Sequence, residues 1–468
     1  MIELPGYHIA MAEVHLLSPQ VLLGLSGGQL VQTTSKVSLT LDNGVELVAT
    51  YCPRSRLPIL PMASTTVTRN LWSNAFVYAS NTSNIYTNIL GQLNNNLSAA
   101  QKETLLWHQR LSHASIPWLQ LLMHNCKWLQ THNSCHALHT GPFIPCKEPR
   151  GPVCDISNLK CASCITAKAT IRKPDCCPVI PPSQKFQDKF VQCLEGHQEK
   201  VLKIGHTKPG DCISTDHYIS TVPGRFPNSH GNDNHGYTCG TLFVDHASGK
   251  LFNFPQLSTA ASKTITSKHQ LEALAADEGL HIKKYHSDNG IFASKDFKSD
   301  CNQLNQKYSF SGVGAHHQNG VAERNIKTVV QWARANLLHC ALRWPAKASI
   351  ILWPFALSYA VWVFNRLPQM DTGLCPNEAW SQTHVTHEDF CRAHVFGCPV
   401  YVLEPKLQDS QMIPKWHPCT RLGMFLGFST IHSSLIPLVL NTCTGRISPQ
   451  YHVIFDDKFE TVTNQHFT

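Results

Sequence analysis

The chain has 468 residues, of which 42% are hydrophobic and 15% are charged. This length suggests about three domains, and the low charge content argues against long disordered charged tails. The net charge of +8 is compatible with a nucleic-acid partner, although enzymes that act on neutral substrates are often as basic. The 19 cysteines are odd in number and scattered, which argues against a disulfide framework and predicts reduced thiols. No secretory signal is visible at the start of the chain.

Residues 1–65 are predicted to form short β-strands. Alternating runs flank Asn43-Gly44, a dipeptide that is typical of a β-hairpin turn. Residues 66–98 are rich in Asn, Ser and Thr, and they predict a loop-rich connection to the rest of the chain.

Residues 99–175 begin with a helical pattern from about Ala99 to Leu122 and contain a possible metal site. Two histidines and a Cys-x-x-Cys pair are the ligand types of a closed, tetrahedral Zn²⁺ site. These four residues are His108, His113, Cys161 and Cys164. The interval between the histidines and the cysteines is long, and other cysteines could replace one of these ligands. They are Cys126, Cys135, Cys146 and Cys154. Spacing alone leaves reduced cysteines and surface histidines as the alternative.

A proline-rich linker at 176–205 separates this segment from an α/β unit. The unit is predicted from alternating and helical patterns, with helices interspersed among the later strands. Predicted strands lie at 211–219, 240–246, 250–255, 282–287 and 308–310, and helices at 262–278, 296–305 and 321–340.

Three acidic residues stand at notable positions in this unit. Asp216 lies in a predicted strand, Asp288 follows a strand and precedes Asn-Gly, and Glu323 lies in the first turn of a helix. The intervals between them hold 71 and 34 residues. Carboxylates that converge from two strands and a helix can hold two Mg²⁺ ions about 4 Å apart, which suits phosphoryl transfer on nucleic acid.

Each acid also has a structural explanation. An Asp at a strand end is usually a cap or turn residue, the role that we assign to Asp245 and Asp233. Glu323 in a first helical turn would also suit the helix dipole.

The helix that carries Glu323 has a polar face. Its members follow one another at spacings of three or four residues, so they share one side of the helix, where they could contact DNA phosphates. They are Arg324, Lys327, Gln331 and Arg334. A solvated helix face is the alternative.

Two features follow this helix. Residues 348–364 form an apolar run with Pro354 inside it, which is short for a membrane span and predicts a buried helix. Beyond Pro376, several short strands between turns predict a small β-barrel at 376–468.

These motifs together resemble the integrase region of copia-type LTR retrotransposon Pol polyproteins. Asp216, Asp288-Asn-Gly and the segment Asn319-Gly-Val-Ala-Glu323 are similar to the integrase catalytic core, and the His/Cys segment is similar to the zinc-binding segment before it. Motifs that begin at Phe396, Arg421 and Gly445 resemble the segment that follows the integrase in such polyproteins. The resemblance covers roughly residues 100–460.

The resemblance implies a domain organisation. The integrase core and its following helices, at 206–375, would adopt an α/β, RNase H-like mixed sheet with flanking helices. A small helical zinc-binding domain at 99–175 would precede it, and a small β-barrel-like segment at 376–468 would follow. Residues 1–65 would be a remnant similar to the tail of a protease barrel.

The resemblance also implies an activity. Asp216, Asp288 and Glu323 would bind Mg²⁺ or Mn²⁺ as catalytic residues of a polynucleotidyl transferase, and the four His/Cys residues would bind Zn²⁺. The partners would be element-end DNA and target DNA, bound by a homo-multimer without any membrane. The protein would act in the nucleus after import from the cytoplasm.

Two other hypotheses remain at this point. One is a catalytically inactive or truncated DNA-binding remnant of a polyprotein. The other is an RNase H-type nuclease, which shares the fold and the metals, although the upstream His/Cys segment and the setting of Glu323 argue against it.

Overall fold

The computed structural model describes six short strands before residue 60 and most of the chain from residue 96 to residue 462. The described ranges are 96–124, 143–157, 159–169, 208–229, 235–312, 316–369, 374–383, 387–432 and 435–462. The chain divides into two units, residues 1–70 and 71–468. The predicted linker at 176–205, most of the connection at 66–98, and Cys126, Cys135 and Asp233 lie outside the described residues.

The first unit contains two antiparallel sheets. Strands β1 (Gly6–His8) and β2 (His15–Leu17) pair with each other. The second sheet has the order β3-β4-β5-β6, with strands Gln29–Gln32, Lys36–Thr40, Glu46–Tyr51 and Pro58–Ile59. Thr40 pairs with Glu46, so the two strands that flank Asn43-Gly44 are antiparallel neighbours as predicted, and the turn residues themselves lie outside the described residues.

The second unit begins with a helical segment. It contains α1 (Ala99–Arg110), α2 (Ile116–Met123), a 3₁₀ turn (Gly151–Val153) and α3 (Ala162–Ala167). The helical pattern predicted from about Ala99 to Leu122 is divided between α1 and α2 in the structure. The chain turns between α1 and α2 because Ser112 and His113 adopt positive φ angles of 49° and 59°. Pro117 in the first turn of α2 then suits a new helix start.

A five-stranded sheet forms the centre of this unit, in the order β11-β10-β7-β8-β9. Its strands are β7 (Ile213–Gly224), β8 (Tyr237–Asp245), β9 (Leu251–Gln256), β10 (Lys284–Ser287) and β11 (Lys307–Phe310). Strand β8 is antiparallel to both of its neighbours, whereas β7, β10 and β11 are parallel. This mixed sheet is the RNase H-like arrangement that the sequence analysis predicted.

Helices cover both faces of the sheet. Helices α4 (Ala261–Asp277) and α5 (Lys295–Gln303) border an apolar core that includes Phe243 and Tyr285. The other core contains α6 (Gly320–Arg343) and α7 (Trp353–Arg366), which pack near Leu242 and Val244 of β8. Because β8 is covered from both sides, most of its residues are buried.

The apolar run at 348–364 is confirmed as a buried helical segment. A 3₁₀ turn (Ile350–Leu352) leads into α7, with Pro354 in its first turn, where proline is tolerated. Of the helices in the described residues, none is long and apolar enough to cross a membrane. The short helix α8 (Pro376–Ser381) follows, and its Trp380 is buried in the core with Phe252.

The C-terminal strands form a five-stranded antiparallel sheet in the order β15-β14-β13-β12-β16. The strands are β12 (Pro399–Leu403), β13 (Thr420–Phe428), β14 (Pro437–Asn441), β15 (Ile447–Pro449) and β16 (Val453–Phe455), and a short helix, α9 (Pro405–Gln408), follows β12. The small barrel predicted here corresponds to this sheet, whose hydrogen bonding leaves β15 and β16 at opposite edges. Tyr359 of α7 packs against Phe425 of β13, which joins the sheet to the helical core.

Candidate metal centres

Two histidines and two cysteines converge between α1, α3 and the turn after α1. Their ligand atoms all lie within 4.8 Å of one another. We call these four residues, His108, His113, Cys161 and Cys164, the His/Cys cluster. The sequence spacing left their partners open, and the fold brings the four together.

The distances within the His/Cys cluster fit a zinc ion. His108 Nε2 lies 3.3 Å from His113 Nδ1 and 3.2 Å from the Cys164 sulfur, and His113 Nδ1 lies 3.3 Å from the Cys161 sulfur. Ligands at about 2.0–2.3 Å from a tetrahedral Zn²⁺ are separated by about 3.3–3.8 Å along the edges of the tetrahedron. The observed separations are close to those edges.

The ring orientation of His108 is fixed from outside the cluster. Its Nδ1 lies 2.7 Å from the Ala114 carbonyl oxygen, which can only accept a hydrogen bond. Nδ1 therefore carries the proton, and the lone pair is on Nε2, which points into the cluster. The buried Nε2 of His113 has no hydrogen-bond partner among the described residues. Hydrogen bonding at that atom therefore does not explain the position of the ring.

The electrostatics of the cluster also suit a metal. Burial lowers the pKa of His113 to about 4, so the ring is neutral at pH 7, as a ligand must be. The hydrogen bond that the two thiols share lowers the pKa of Cys161 and raises that of Cys164. A thiolate is the form of cysteine that binds a metal, so the lowered pKa of Cys161 favours metal binding.

The two alternative cysteines within the described residues lie elsewhere. The Cys146 thiol contacts Glu103 Oε2 at 3.3 Å, and burial raises its pKa to about 11. The Cys154 sulfur lies 3.4 Å from the hydroxyl oxygen of Thr104. Neither joins the His/Cys cluster.

The register of the central sheet brings two of the three acids to one level. Strands β7 and β10 are parallel, with Ile213 opposite Tyr285 and Ser214 opposite His286. Continuing this register by two residues places Asp288 beside Asp216. Residues at the same level of neighbouring parallel strands share a face of the sheet, so the two carboxylates belong to the same face.

The start of α6 is fixed to the same two strands. The side-chain amide of Asn319 donates to the carbonyl oxygen of Thr215 at 3.2 Å, one residue before Asp216. His286, which precedes Asp288 by two residues, has its Nε2 3.2 Å from the carbonyl oxygen of Gln318. Glu323 follows in the first turn of the helix. The fold therefore holds the start of α6 against β7 next to Asp216 and against β10 shortly before Asp288.

The three acids are accessible to solvent to different degrees. Glu323 is exposed, and Asp216 and Asp288 are partly exposed. Asp216 Oδ1 accepts from the backbone amide of His217 at 2.8 Å, and Asp288 Oδ1 accepts from that of Gly290 at 3.2 Å. In the described part of the chain the three acids do not approach one another as closely as the His/Cys ligands do. Shared ions would have to draw them closer.

Asp245, a further acid of the sheet, has the structural role that was predicted for it. Asp245 ends β8, is fully buried, and accepts from the backbone and hydroxyl of Ser248 and from the backbone of Gly210. The bonds from Ser248 close the turn into β9, and the bond from Gly210 ties the end of β8 to the residues before β7.

A histidine beside the acids was missed by the sequence analysis. His217 stacks on Phe292, with ring centroids 4.5 Å apart, and its Nε2 lies 3.0 Å from the Thr264 hydroxyl. Burial lowers its pKa to about 4, while the nearby charge of Asp288 acts in the opposite direction. Its position directly after Asp216 was the only signal in the sequence.

The predicted polar face of α6 is divided between solvent and protein. Arg324 and Lys327 are exposed next to Glu323, and Gln331 is half-buried. Arg334 is exposed, but its guanidinium also donates to the Ala167 carbonyl oxygen of α3 at 3.4 Å. The apolar face is inside, as predicted, with Val329, Ala333 and Leu337 buried.

Comparison with known proteins finds relatives of one kind, the retrovirus-related Pol polyproteins of plant transposons. Over 288 residues, 60% of this chain, it is 28% identical to the retrovirus-related Pol polyprotein from transposon RE1 of Arabidopsis thaliana. Over 184 residues, 39% of the chain, it is 28% identical to the corresponding polyprotein from transposon TNT 1-94 of Nicotiana tabacum. The chain is homologous to the Pol polyproteins of plant transposons. The matched regions span 18% and 13% of those relatives.

Two further comparisons complete this result. No family model matches the chain. Among solved structures, the HTLV-2 integrase catalytic core domain in complex with magnesium aligns with 37% of this Pol homologue and 97% of that domain, at 19% identity and a TM-score of 0.28.

Proposed function

We propose that this Pol homologue is the integrase of a transposon, a polynucleotidyl transferase that joins the 3′ ends of element DNA to target DNA. The observation that carries the proposal is the register of β7 and β10. Continued by two residues, it sets Asp216 of β7 beside Asp288, the residue that follows β10. The bond from Asn319 to Thr215, which holds the Glu323 helix at the same place, supports it.

The three acids have distinct roles in this proposal. Asp216 lies in β7 and Asp288 directly follows β10, so these two acids would fix the position of the metal site, whereas Glu323 in the first turn of α6 would complete it. Bound Mg²⁺ or Mn²⁺ would supply activation of the attacking hydroxyl or water and stabilisation of the leaving oxygen. The side chains do not form a covalent bond to DNA. They would orient the reacting phosphate.

The His/Cys cluster would hold one structural Zn²⁺. All four ligand positions come from the protein, which leaves no open position for a substrate. The ion would fix the turn after α1 against α3, and its binding energy would contribute to the folding of a zinc-binding domain at 99–175. The integrase core would then occupy 206–375 and the C-terminal sheet domain 376–468.

DNA would contact the exposed side of α6 beside the acids. Arg324 and Lys327 present positive charge next to Glu323, where a phosphate backbone would pass. Gln331 and Arg334 lie farther along the same face. The partners in this proposal are element-end DNA and target DNA, held by a homo-multimer of the chain because integration joins two ends.

A strand-transfer assay tests the proposal. Purified protein, Mg²⁺ or Mn²⁺, a supercoiled plasmid and a labelled duplex with the terminal sequence of the encoding element would be combined. We expect joined products from the wild type and none from Asp288→Asn. Asp277→Asn is a matched control, because Asp277 is an exposed acid at the end of α4, and it should join DNA normally.

Three outcomes would count against the proposal. Joining by Asp288→Asn at the wild-type rate would remove the acid assignment. A folded, zinc-loaded wild type that binds DNA in a salt-sensitive manner but never joins it would instead favour an inactive DNA-binding remnant. Mn²⁺-dependent nicking of the plasmid without joining would indicate a nuclease.

A further inference from the structure

The C-terminal half of α6 lies against the His/Cys cluster. Helix α6 packs on α3, which carries Cys164, and Asn336 of α6 donates to the Ser112 hydroxyl oxygen at 3.1 Å. Ser112 is the residue directly before His113. One helix therefore has Glu323 in its first turn and touches the proposed zinc site four turns later.

His339 is the α6 residue nearest to the cluster. It is buried, with 4% of its surface exposed, and its ring centroid lies 5.3 Å from that of His113. The Cys161 side chain also acts on the His339 ring, because hydrogen bonding to it opposes the burial that lowers the pKa of His339. On its other side the ring meets Phe459 edge to face, at a centroid distance of 5.6 Å. Three separate segments thus fix the ring in place.

A small cleft confirms that these groups share one surface. Cys161, His339 and Arg343 all line it. Arg343 follows His339 by one helical turn and is half-buried, and the negative charge of a Cys161 thiolate acts on its guanidinium. Cys161 therefore receives both a hydrogen bond and a positive charge from α6.

The other ligands have their own outer partners. The ammonium group of Lys168 hydrogen bonds to Cys164 and donates to the His113 carbonyl oxygen at 2.6 Å. His108 is held by Ala114. Cys161 is the ligand whose side chain interacts with both His339 and Arg343 of the helix that carries Glu323.

We propose that His339 is a positioning residue for the zinc site, which holds the Cys161 thiolate from the catalytic helix and makes zinc binding and the order of α6 interdependent. The inference rests on the proposed zinc site. Outer-shell donors orient metal ligands, and their loss typically weakens metal affinity by about 10- to 100-fold. A donor to a thiolate also withdraws electron density from sulfur, which is a spectroscopic effect that packing alone does not produce.

The test uses the full chain with Zn²⁺ and Co²⁺. His339→Phe keeps an aromatic ring in the site but removes the donor, whereas His339→Gln retains an amide donor. Asn336→Leu is the control, because Asn336 lies on the same helix and contacts Ser112 but no cysteine. Zinc affinity is measured by chelator competition, and the sulfur-to-cobalt charge-transfer band by absorption.

We expect His339→Phe to bind zinc about 10- to 100-fold more weakly and to shift the cobalt band to longer wavelength. His339→Gln should recover most of both properties, and Asn336→Leu should keep the wild-type band. Zinc removal from the wild type should reduce amide-exchange protection in the last two turns of α6.

The outcomes distinguish a failure of the His339 role from a failure of the zinc site on which it rests. A wild type that binds no zinc refutes the zinc site itself. A wild type that binds zinc while His339→Phe shows unchanged affinity and band overturns the role of His339. If His339→Phe does not fold, Arg343→Gln replaces it, with an expected two- to five-fold loss of affinity that lessens at high salt, roughly as for a partly exposed charge pair. An unchanged affinity there also overturns the inference.

Discussion

Replacing Asn319 with alanine tests whether the start of α6 positions Glu323. The Asn319 side chain is fully buried, and its amide donates to the Thr215 carbonyl oxygen at 3.2 Å. Its own Oδ1 has no partner among the described residues, so this donated bond is the polar contact that the substitution removes. Loss of one buried hydrogen bond should lower the free energy of unfolding by about 1–2 kcal/mol.

The effect on DNA joining should exceed the effect on stability. A destabilisation of that size lowers the melting temperature of a core of this length by roughly 2–8 °C, which leaves the protein folded at 25 °C. The start of α6 would lose its bond to β7, so we expect Glu323 to shift relative to Asp216. A displacement of about 1 Å near reacting groups can reduce a rate by about 100-fold.

Two assays separate these effects. Thermal unfolding measures stability, and the strand-transfer assay measures joining, with Asn325→Ala as the matched control. Asn325 lies six residues farther along α6, and its amide donates to the Val321 carbonyl oxygen within the helix at 2.9 Å. We expect joining to fall at least tenfold in Asn319→Ala and little in Asn325→Ala. Equal joining rates in the two variants would refute the positioning argument.

Three further predictions concern metal and stability. Cys161→Ser should abolish stoichiometric zinc binding, measured by elemental analysis; a zinc content equal to that of the wild type would contradict it. Lys268→Met should destabilise the core by about 3–5 kcal/mol, because the fully buried ammonium pairs with Glu272 at 2.9 Å and Asp300 at 2.7 Å. A thermal midpoint within one degree of the wild type would argue against it. Burial would raise the pKa of Asp457, but the hydrogen bond and charge of His394 and the charge of Arg110 lower it below its usual value. The stability that Asp457 contributes is therefore present above about pH 4 and is lost as the pH falls through the lowered pKa. In Asp457→Asn the melting temperature should therefore fall less steeply with decreasing pH below about pH 4.

Local patterns in the sequence predicted most of the elements. Alternation predicted the strands around Asp216 and Asp288, and helical periodicity predicted α6 with its buried Val329 and Ala333. The break between α1 and α2 was missed, because positive φ angles at Ser112 and His113 are unusual for these residue types. Neither residue carries the local signal that a glycine would give.

By itself, the sequence determined the inventory of ligands and the local settings of the three acids, since residue type and short-range pattern are written in the chain. The tertiary structure decided which of several cysteines meet the two histidines. It also decided that Asp216 and Asp288 lie at one level of the sheet. The same folding brings His339 close to Cys161, although the two are far apart in the sequence. These results depend on strand register and on the packing of α3 against α6. Both follow from burying distant apolar surfaces together, which no local pattern specifies.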